Sequence, residues 1–283
     1  MFAVRTGSVF FSAIFMAGMA YAAPAGNTEI DKIELAPHRA VYDLRLARSR
    51  TSNSAEAVTG RILYDFSGNS CEGYALQFRQ VSQLNTGEGK ATVMDLRTIS
   101  WEDGTASKYR FQSENKMDQK QVEAVNGQAE RRSDGVAVNL TKPGEKKFDA
   151  EAGLVFPTEH MRRIIAAARA GQAILELPVY DGSENGEKVF NTLTVIGAPI
   201  APDQKVPTDA AVGQKALTGL KRWPVTISYF EKESKGGEQT PIYSAGFELY
   251  DNGVSRALVL DYNDFVLRGE MSSLEVQDTK PCQ

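Results

Sequence analysis

Apolar and polar residues alternate along most of the chain with a period of two. In "RAVYDLRLAR", Tyr42, Leu44 and Leu46 fall on one side, and Asp43 and Arg45 fall on the other. "GRILYDF" repeats the arrangement with Ile62, Tyr64 and Phe66. "PVTISYFE" does so with Val225, Ile227 and Tyr229, and "AGFELYD" sets Phe247 and Leu249 against Glu248. "GVSRALVLDY" adds a run from Val254 to Leu260, and "DFVLRGEM" places Phe265 with Leu267. Successive side chains of a strand point to opposite faces, so this pattern predicts half-buried β-strands. Between them stand Asp103-Gly104, Asn126-Gly127, Asp134-Gly135, Asn185-Gly186 and Asn252-Gly253. Such pairs tolerate the positive φ of tight hairpin turns, so each is expected to reverse the chain. The polar stretch "VEAVNGQAERRSDG" reads as an exposed hairpin. The fold class is therefore mostly β: a long antiparallel meander that closes, or nearly closes, to manage its edges.

One segment has helical period instead. In "FPTEHMRRIIAAARAG", Met161, Ile164, Ile165 and Ala168 share one face, while Arg162, Arg163 and Arg169 lie off it. Thr158 is the expected N-cap, Glu159 suits the first turn, and Gly171 is the expected stop. Packed on its own curved sheet, this helix would plug or cover the concave side. Residues 197–224, with Pro199, Pro202, Pro207 and Pro224, read as a long connection with a short helix near Ala210 to Leu220.

The first residues add an address. Arg5 precedes an apolar run from Val9 to Ala20, and Ala20-Tyr21-Ala22 has the small-x-small form of a cleavage site. Residues 1–22 are expected to be a secretory signal peptide, leaving 23–283 as a single exported, soluble domain without a membrane span. That changes the meaning of the two cysteines, Cys71 and Cys282. In an oxidising compartment two such residues are expected to pair, across a separation of 211 residues. The chain-entropy gain of that closure has an upper bound of roughly 5 kcal/mol. A redox-active or metal-binding pair fits less well, since the chain has no Cys-x-x-Cys spacing and no His beside either cysteine.

Charge and candidate chemistry narrow the function class. A net charge of -4, without a basic block, argues against a nucleic-acid partner. The two histidines, His38 and His160, make a thin ligand set for any metal. No Gly-x-Ser-x-Gly elbow is present, and Ser183 follows Asp181-Gly182 as a turn residue does. No phosphate loop or dinucleotide fingerprint appears, so no cofactor and no catalytic residue is assigned. Trp101 and Trp223 stand at strand ends, where an aromatic either gates a cavity or, more commonly, packs.

The combination of "LAPHRAVYDL", "CEGYALQFRQV", "FPTEHMRRIIAAARAG", "VYDGSENGEKVF", "WPVTISYF" and "FELYDNGVSRALVLDYNDFVLRGEM", with a cysteine near the end, resembles the EipB family of periplasmic cell-envelope integrity proteins of alphaproteobacteria. The resemblance covers nearly the whole mature chain. It implies a sheet wound as an incomplete spiral β-barrel around the helix, similar in shape to the half-barrels of LolA and LolB. It also implies a Cys71–Cys282 disulfide, a role in resisting envelope stress, and a periplasmic tetratricopeptide-repeat protein as partner. The expected function is non-enzymatic: maintaining the envelope by binding other components. A lipid or lipoprotein carrier using a barrel cavity is the first alternative, and an envelope hydrolase the second. Tyr42, Phe66 and Phe247 would either line such a cavity or fill it.

Overall fold

The computed structural model describes residues 30, 32–50, 56–85, 89, 91–205, 207–232, 240–278 and 282. The expected signal peptide lies outside them. Eight strands come first: β1 (His38–Ser49), β2 (Ala57–Asn69), β3 (Gly73–Asn85), β4 (Ala91–Glu102), β5 (Lys108–Met117), β6 (Lys120–Arg131), β7 (Val136–Lys142) and β8 (Lys146–Ala150). Helix α1 (Pro157–Arg169) follows. Six more strands complete the chain: β9 (Ile174–Val179), β10 (Phe190–Ile196), β11 (Arg222–Glu231), β12 (Tyr243–Tyr250), β13 (Ser255–Asp261) and β14 (Phe265–Val276). All belong to one 14-stranded sheet of order β8-β7-β6-β5-β4-β3-β2-β1-β14-β13-β12-β11-β10-β9. Each paired neighbour is antiparallel, and β1 against β14 joins the two meanders.

This topology forces the sheet to curl. With strands ~4.8 Å apart, a flat sheet of this order would hold its edges, β8 and β9, about 60 Å from each other. Yet Val155, a few residues beyond the end of β8, forms a parallel bridge with Val179 of β9. That short connection spans at most about 18 Å. The two edges are therefore brought round to face each other, and α1 is enclosed between them. Ile164, Ile165 and Ala168 of α1 pack with Phe66 and Tyr74 from the first meander and with Trp223, Val225 and Leu249 from the second. Further along the interior, Tyr109, Phe111, Val138 and Leu140 gather around Phe156 at the head of α1. At the other end, Tyr42, Leu44, Leu260 and Met271 pack with Ala211 and Leu217 of the long connection.

The predicted strands are all present, with Tyr42, Leu44, Ile62 and Phe66 buried as their alternation requires. Several local expectations are corrected. Thr158 does not cap α1: the helix starts two residues earlier than that cap would place it, with Pro157 at its first position, and Phe156 is the N-cap without a side-chain bond. The missing N-terminal acceptor is supplied from outside the helix, as described below. Gly171 does end α1, with φ +72°. Its N–H donates to the Ala168 carbonyl and that of Gln172 to Ala167, the paired bonds of a Schellman stop.

Asn126-Gly127 is not a turn, and residues 122–135 are not a hairpin of their own. Both residues of the pair lie inside β6, at a register shift against β7. Gly127 is needed there for space, because a Cβ would stand 2.7 Å from both Leu140 and Phe111. Residues 210–220 form only one short 3-10 turn, Lys215–Leu217. Beyond Gly269, β14 loses β13 as a partner, and this connection fills the notch instead. Ala210 N–H donates to the Met271 carbonyl at 3.1 Å, and the Gln214 amide donates to that of Leu274 at 3.1 Å.

Glu248 was expected on the solvent side but is buried, because the same connection folds over its face. Arg222 Nε donates to Glu248 at 2.7 Å, Lys205 Nζ at 2.7 Å, and Arg256 Nη1 closes the group while its Nε reaches Asp209. Burial pushes the Glu248 carboxyl up, but the bonds from Lys205, Arg222 and Arg256 outweigh it and hold the group down at about 2. Replacing Glu248 leaves the buried Arg222 without its carboxylate and Arg256 with Asp209 alone. Glu248→Ala is expected to lower stability by about 3–5 kcal/mol in urea unfolding, whereas Arg61→Ala, in an exposed pair with Asp43, should change it by less than ~1 kcal/mol. Equal effects of the two substitutions would contradict this assignment.

Candidate functional site

The candidate catalytic residues do not assemble. His38 in β1 is buried, its Nδ1 2.7 Å from the Ala36 carbonyl and its ring stacked on Tyr64 at 5.3 Å between centroids. His160 lies in the first turn of α1, with Nε2 3.5 Å from Thr192 Oγ1. That hydroxyl donates its proton to the Leu177 carbonyl at 2.9 Å, so it is not a nucleophile aimed at the imidazole. Ser183 is a turn residue: its N–H donates to Asp181 Oδ1 at 2.9 Å. Burial pushes both imidazoles below their usual range. His160 falls to about 4, with the nearby Arg163 charge adding to the effect. Among the described residues, no group of three or more His, Cys, Asp or Glu side chains is arranged to hold a metal.

What converges instead is a charged collar around the head of α1. Glu102, the last residue of β4, turns inward and accepts the backbone N–H of Thr158 at 2.7 Å and of Glu159 at 2.8 Å. It thereby satisfies two helix donors that no local side chain reaches. Burial pushes the Glu102 carboxyl up to about 8 against the pull of those two donors. Glu159 accepts Arg131 Nη2 at 2.7 Å on one oxygen and Arg163 Nη2 at 2.7 Å on the other. Arg131 also donates to the Leu154 carbonyl and lies 5.2 Å over the Phe156 ring.

Arg162, expected off the buried face, is 3% exposed. Its guanidinium donates to the carbonyls of Ile33 at 3.1 Å, Gly104 at 2.8 Å and Ile30 at 2.6 Å. Two backbone segments remote in sequence, the turn at Ile30 and Ile33 and the one at Gly104, thus share one side chain. Helical period alone places Arg162 on the polar side, and only the enclosing sheet makes that side interior. Glu102 carried no signal in the sequence, since "SWEDG" reads as a strand end and turn.

The two cysteines are brought together. Cys71 sits in the turn between β2 and β3, where Asn69 Oδ1 accepts the N–H of Cys71 at 2.9 Å and of Glu72 at 2.8 Å. Cys282 comes back from β14 to lie with its Cα 5.8 Å from that of Cys71, within disulfide range. The tryptophans divide: Trp223 packs in the interior beside α1, and Trp101 is half-buried on the outer face of β4. Tyr42 and Phe66 fill the interior, and Phe247 packs against the α1 cluster.

The EipB-like family model matches residues 29–278. The chain belongs to the EipB-like family. The cell envelope integrity protein EipB of Brucella abortus (strain 2308) is 38% identical over 268 residues, which cover 94% of this chain and 92% of that protein. The crystal structure of a β-barrel-like protein of a domain of unknown function from Brucella abortus superposes with a TM-score of 0.80 at 34% identity. That match covers 87% of this chain and all of the other. For this EipB-like chain, the β-barrel-like shape expected from the resemblance is thus the observed one. No helix among the described residues is long and apolar enough to cross a membrane.

The neutral imidazole of His160 sets an acid limit. The unfolded chain takes up a proton near pH 6.5 that the folded state accepts only near 4, so this contribution is complete above pH 6.5 and lost as pH falls through about 4. It amounts to at most roughly 3 kcal/mol. Melting temperature measured from pH 7 to pH 4 should fall less steeply for His160→Gln than for the unaltered chain. Parallel curves would show that His160 is not the buried neutral group.

Proposed function

We propose that this chain is an exported, non-catalytic protein that maintains the cell envelope by binding other envelope components. The observation that carries the reading is the interior: α1, its charged collar and aromatic side chains occupy the space where a substrate or cargo would sit. The name of the Brucella relative supports the process, envelope integrity. Export through a signal peptide at 1–22 delivers the mature chain, from Ala23, to the periplasm. There Cys71 and Cys282 close as a disulfide, tying the tail that follows β14 to the β2–β3 turn. A periplasmic tetratricopeptide-repeat protein is the partner that the family resemblance implies, and an outer surface of the barrel is where it would dock. The lipid or lipoprotein carrier reading requires α1 to leave its place, against the bonds from Glu102 and Arg162.

Deleting the gene should sensitise cells to detergents and cell-wall antibiotics, with resistance restored by the unaltered chain and by His38→Gln with His160→Gln. Unchanged resistance in the deletion strain contradicts the envelope role, and failure of the folded double variant to complement contradicts the non-catalytic one. The disulfide has its own readout. Intact mass of the periplasmic protein should begin at Ala23 and lack two hydrogens. Reductant, or Cys282→Ser, should lower stability by about 2–5 kcal/mol. Identical unfolding with and without reductant contradicts the bond.

A further inference from the structure

The outer face of β3–β7 differs from the rest of the barrel wall. Across it runs a row of directly paired positions: Ala75, Trp101, Arg110, Gln128 and Asn139. Beside it runs a second row, Gln77, Ile99, Gln112 and Asn126. Lower on this wall the outward charges of β3 and β4 pair with each other, Arg79 and Arg97 both with Asp95. Here the side chains are amides around an indole, and Arg110 is the one charged group lining an open depression of about 520 Å³.

Three features show how the indole is presented. Gly73 keeps the surface beneath it low, since a Cβ there would stand 2.9 Å from Trp101 Cε2 and Cζ2. Ala75, its paired neighbour on β3, carries only a methyl group. The Arg110 guanidinium, on an exposed side chain of β5, lies over the ring 5.4 Å from its centroid. Ile99 is left 56% exposed next to it. The amides of Gln77, Gln112, Gln128 and Asn139 make no hydrogen bond within the described residues, although each has donors and an acceptor to offer.

These groups select one ligand chemistry. A nucleic acid or anionic lipid surface needs several cations clustered together, and within the depression only Arg110 is present, with Lys142 and Lys147 at its β7–β8 margin. An acyl chain would leave the amides unpaired, which is unfavourable. A peptide strand adds at a sheet edge, and this is a sheet face, with its backbone bonds already used in the ladders. A pyranose presents a flat patch of C–H groups that stacks on the indole once the exposed Arg110 side chain swings off the ring, and it is rimmed by hydroxyls that amides can both donate to and accept from. An acetamido group fits further, because a side-chain amide can bond its N–H and its C=O at once. From Trp101 on β4 to Asn139 on β7 is three strand spacings, ~14 Å, room for a short run of linked rings.

We infer that the outer face of β3–β7, centred on Trp101, Gln112 and Gln128, is a binding platform for an N-acetylated glycan strand. The inference rests on the binding role proposed above and gives one of its partners a chemical class. Chitohexaose, an N-acetylglucosamine hexamer, is the probe, titrated into the full mature chain by calorimetry and by acrylamide quenching of tryptophan fluorescence.

Bound hexamer should protect Trp101 from the quencher while buried Trp223 stays unaffected. Trp101→Ala should weaken binding at least ten-fold. Gln112→Ala combined with Gln128→Ala, exposed changes that leave the core intact, should weaken it several-fold at an unchanged melting temperature. Absence of binding at millimolar hexamer, or unaltered binding by the double variant, overturns the inference. Equal affinity for cellohexaose, which lacks acetamido groups, overturns the N-acetyl assignment. A deletion strain with ordinary envelope resistance would overturn the envelope role without touching these readouts. Loss of resistance on deletion with no glycan binding would overturn the platform alone.

Discussion

The burial of α1 inside its own sheet is the constraint on which the rest of the structure depends. A helix in a closed interior brings unsatisfied N–H groups at its head and, in this sequence, four charged or titratable side chains in its first two turns. The helix N–H groups, Glu159, His160 and Arg162 are met by groups from different parts of the wall, and Arg163 pairs with Glu159 on the helix itself. Glu102 of β4 accepts the helix N–H groups, Arg131 of β6 meets Glu159, and the carbonyls of Ile30, Ile33 and Gly104 receive Arg162. The collar therefore fixes where α1 sits along the barrel axis, and it ties the chain entering β1 and the β4–β5 turn to the same point. Apolar contact alone would let α1 slide or rotate, because Phe66, Tyr74, Trp223 and Leu249 offer a continuous greasy wall.

The enclosing sheet is closed imperfectly, and each imperfection is covered by a specific device. At the seam, Val155 bridges to the edge strand β9, and ion pairs from Lys146 to Glu187 and from Lys232 to Glu151 cross between the two meanders. Where β13 leaves β14, the connection between β10 and β11 supplies backbone and Gln214 bonds together with Ala211 and Leu217 as core. The same connection is anchored over β12 by the Lys205, Arg222, Glu248 and Arg256 group. An edge covered in these ways offers little template for pairing with another chain. The binding role proposed for this chain would thereby fall to the faces of the sheet, away from its edges.

The strands were legible because period-two alternation survives wherever one face is buried and the other wet, as in Tyr42 to Leu46 and Ile62 to Phe66. The helix was legible from the spacing of Met161, Ile164, Ile165 and Ala168. Two kinds of feature were not. Residues made interior by tertiary enclosure, Arg162 and Glu248, look like surface charges because their partners lie far off in sequence or belong to the backbone. Gly127 looks like a turn residue, since a glycine required for close approach to Leu140 and Phe111 carries the same letter as one required for positive φ. The Trp101 platform was invisible for a related reason: Ala75, Arg110, Gln128 and Asn139 become neighbours only through the register of five strands.

A filled, anchored interior is what separates a protein acting through its surface from one that carries cargo within. Hydrogen exchange of the α1 amides, followed by mass spectrometry with and without a lysophospholipid, tests that distinction directly. The account predicts that residues 158–169 exchange as slowly as central strands β1 and β14, and that the lipid leaves them unchanged. Exchange of α1 ahead of the sheet, accelerated by the lipid, would contradict it.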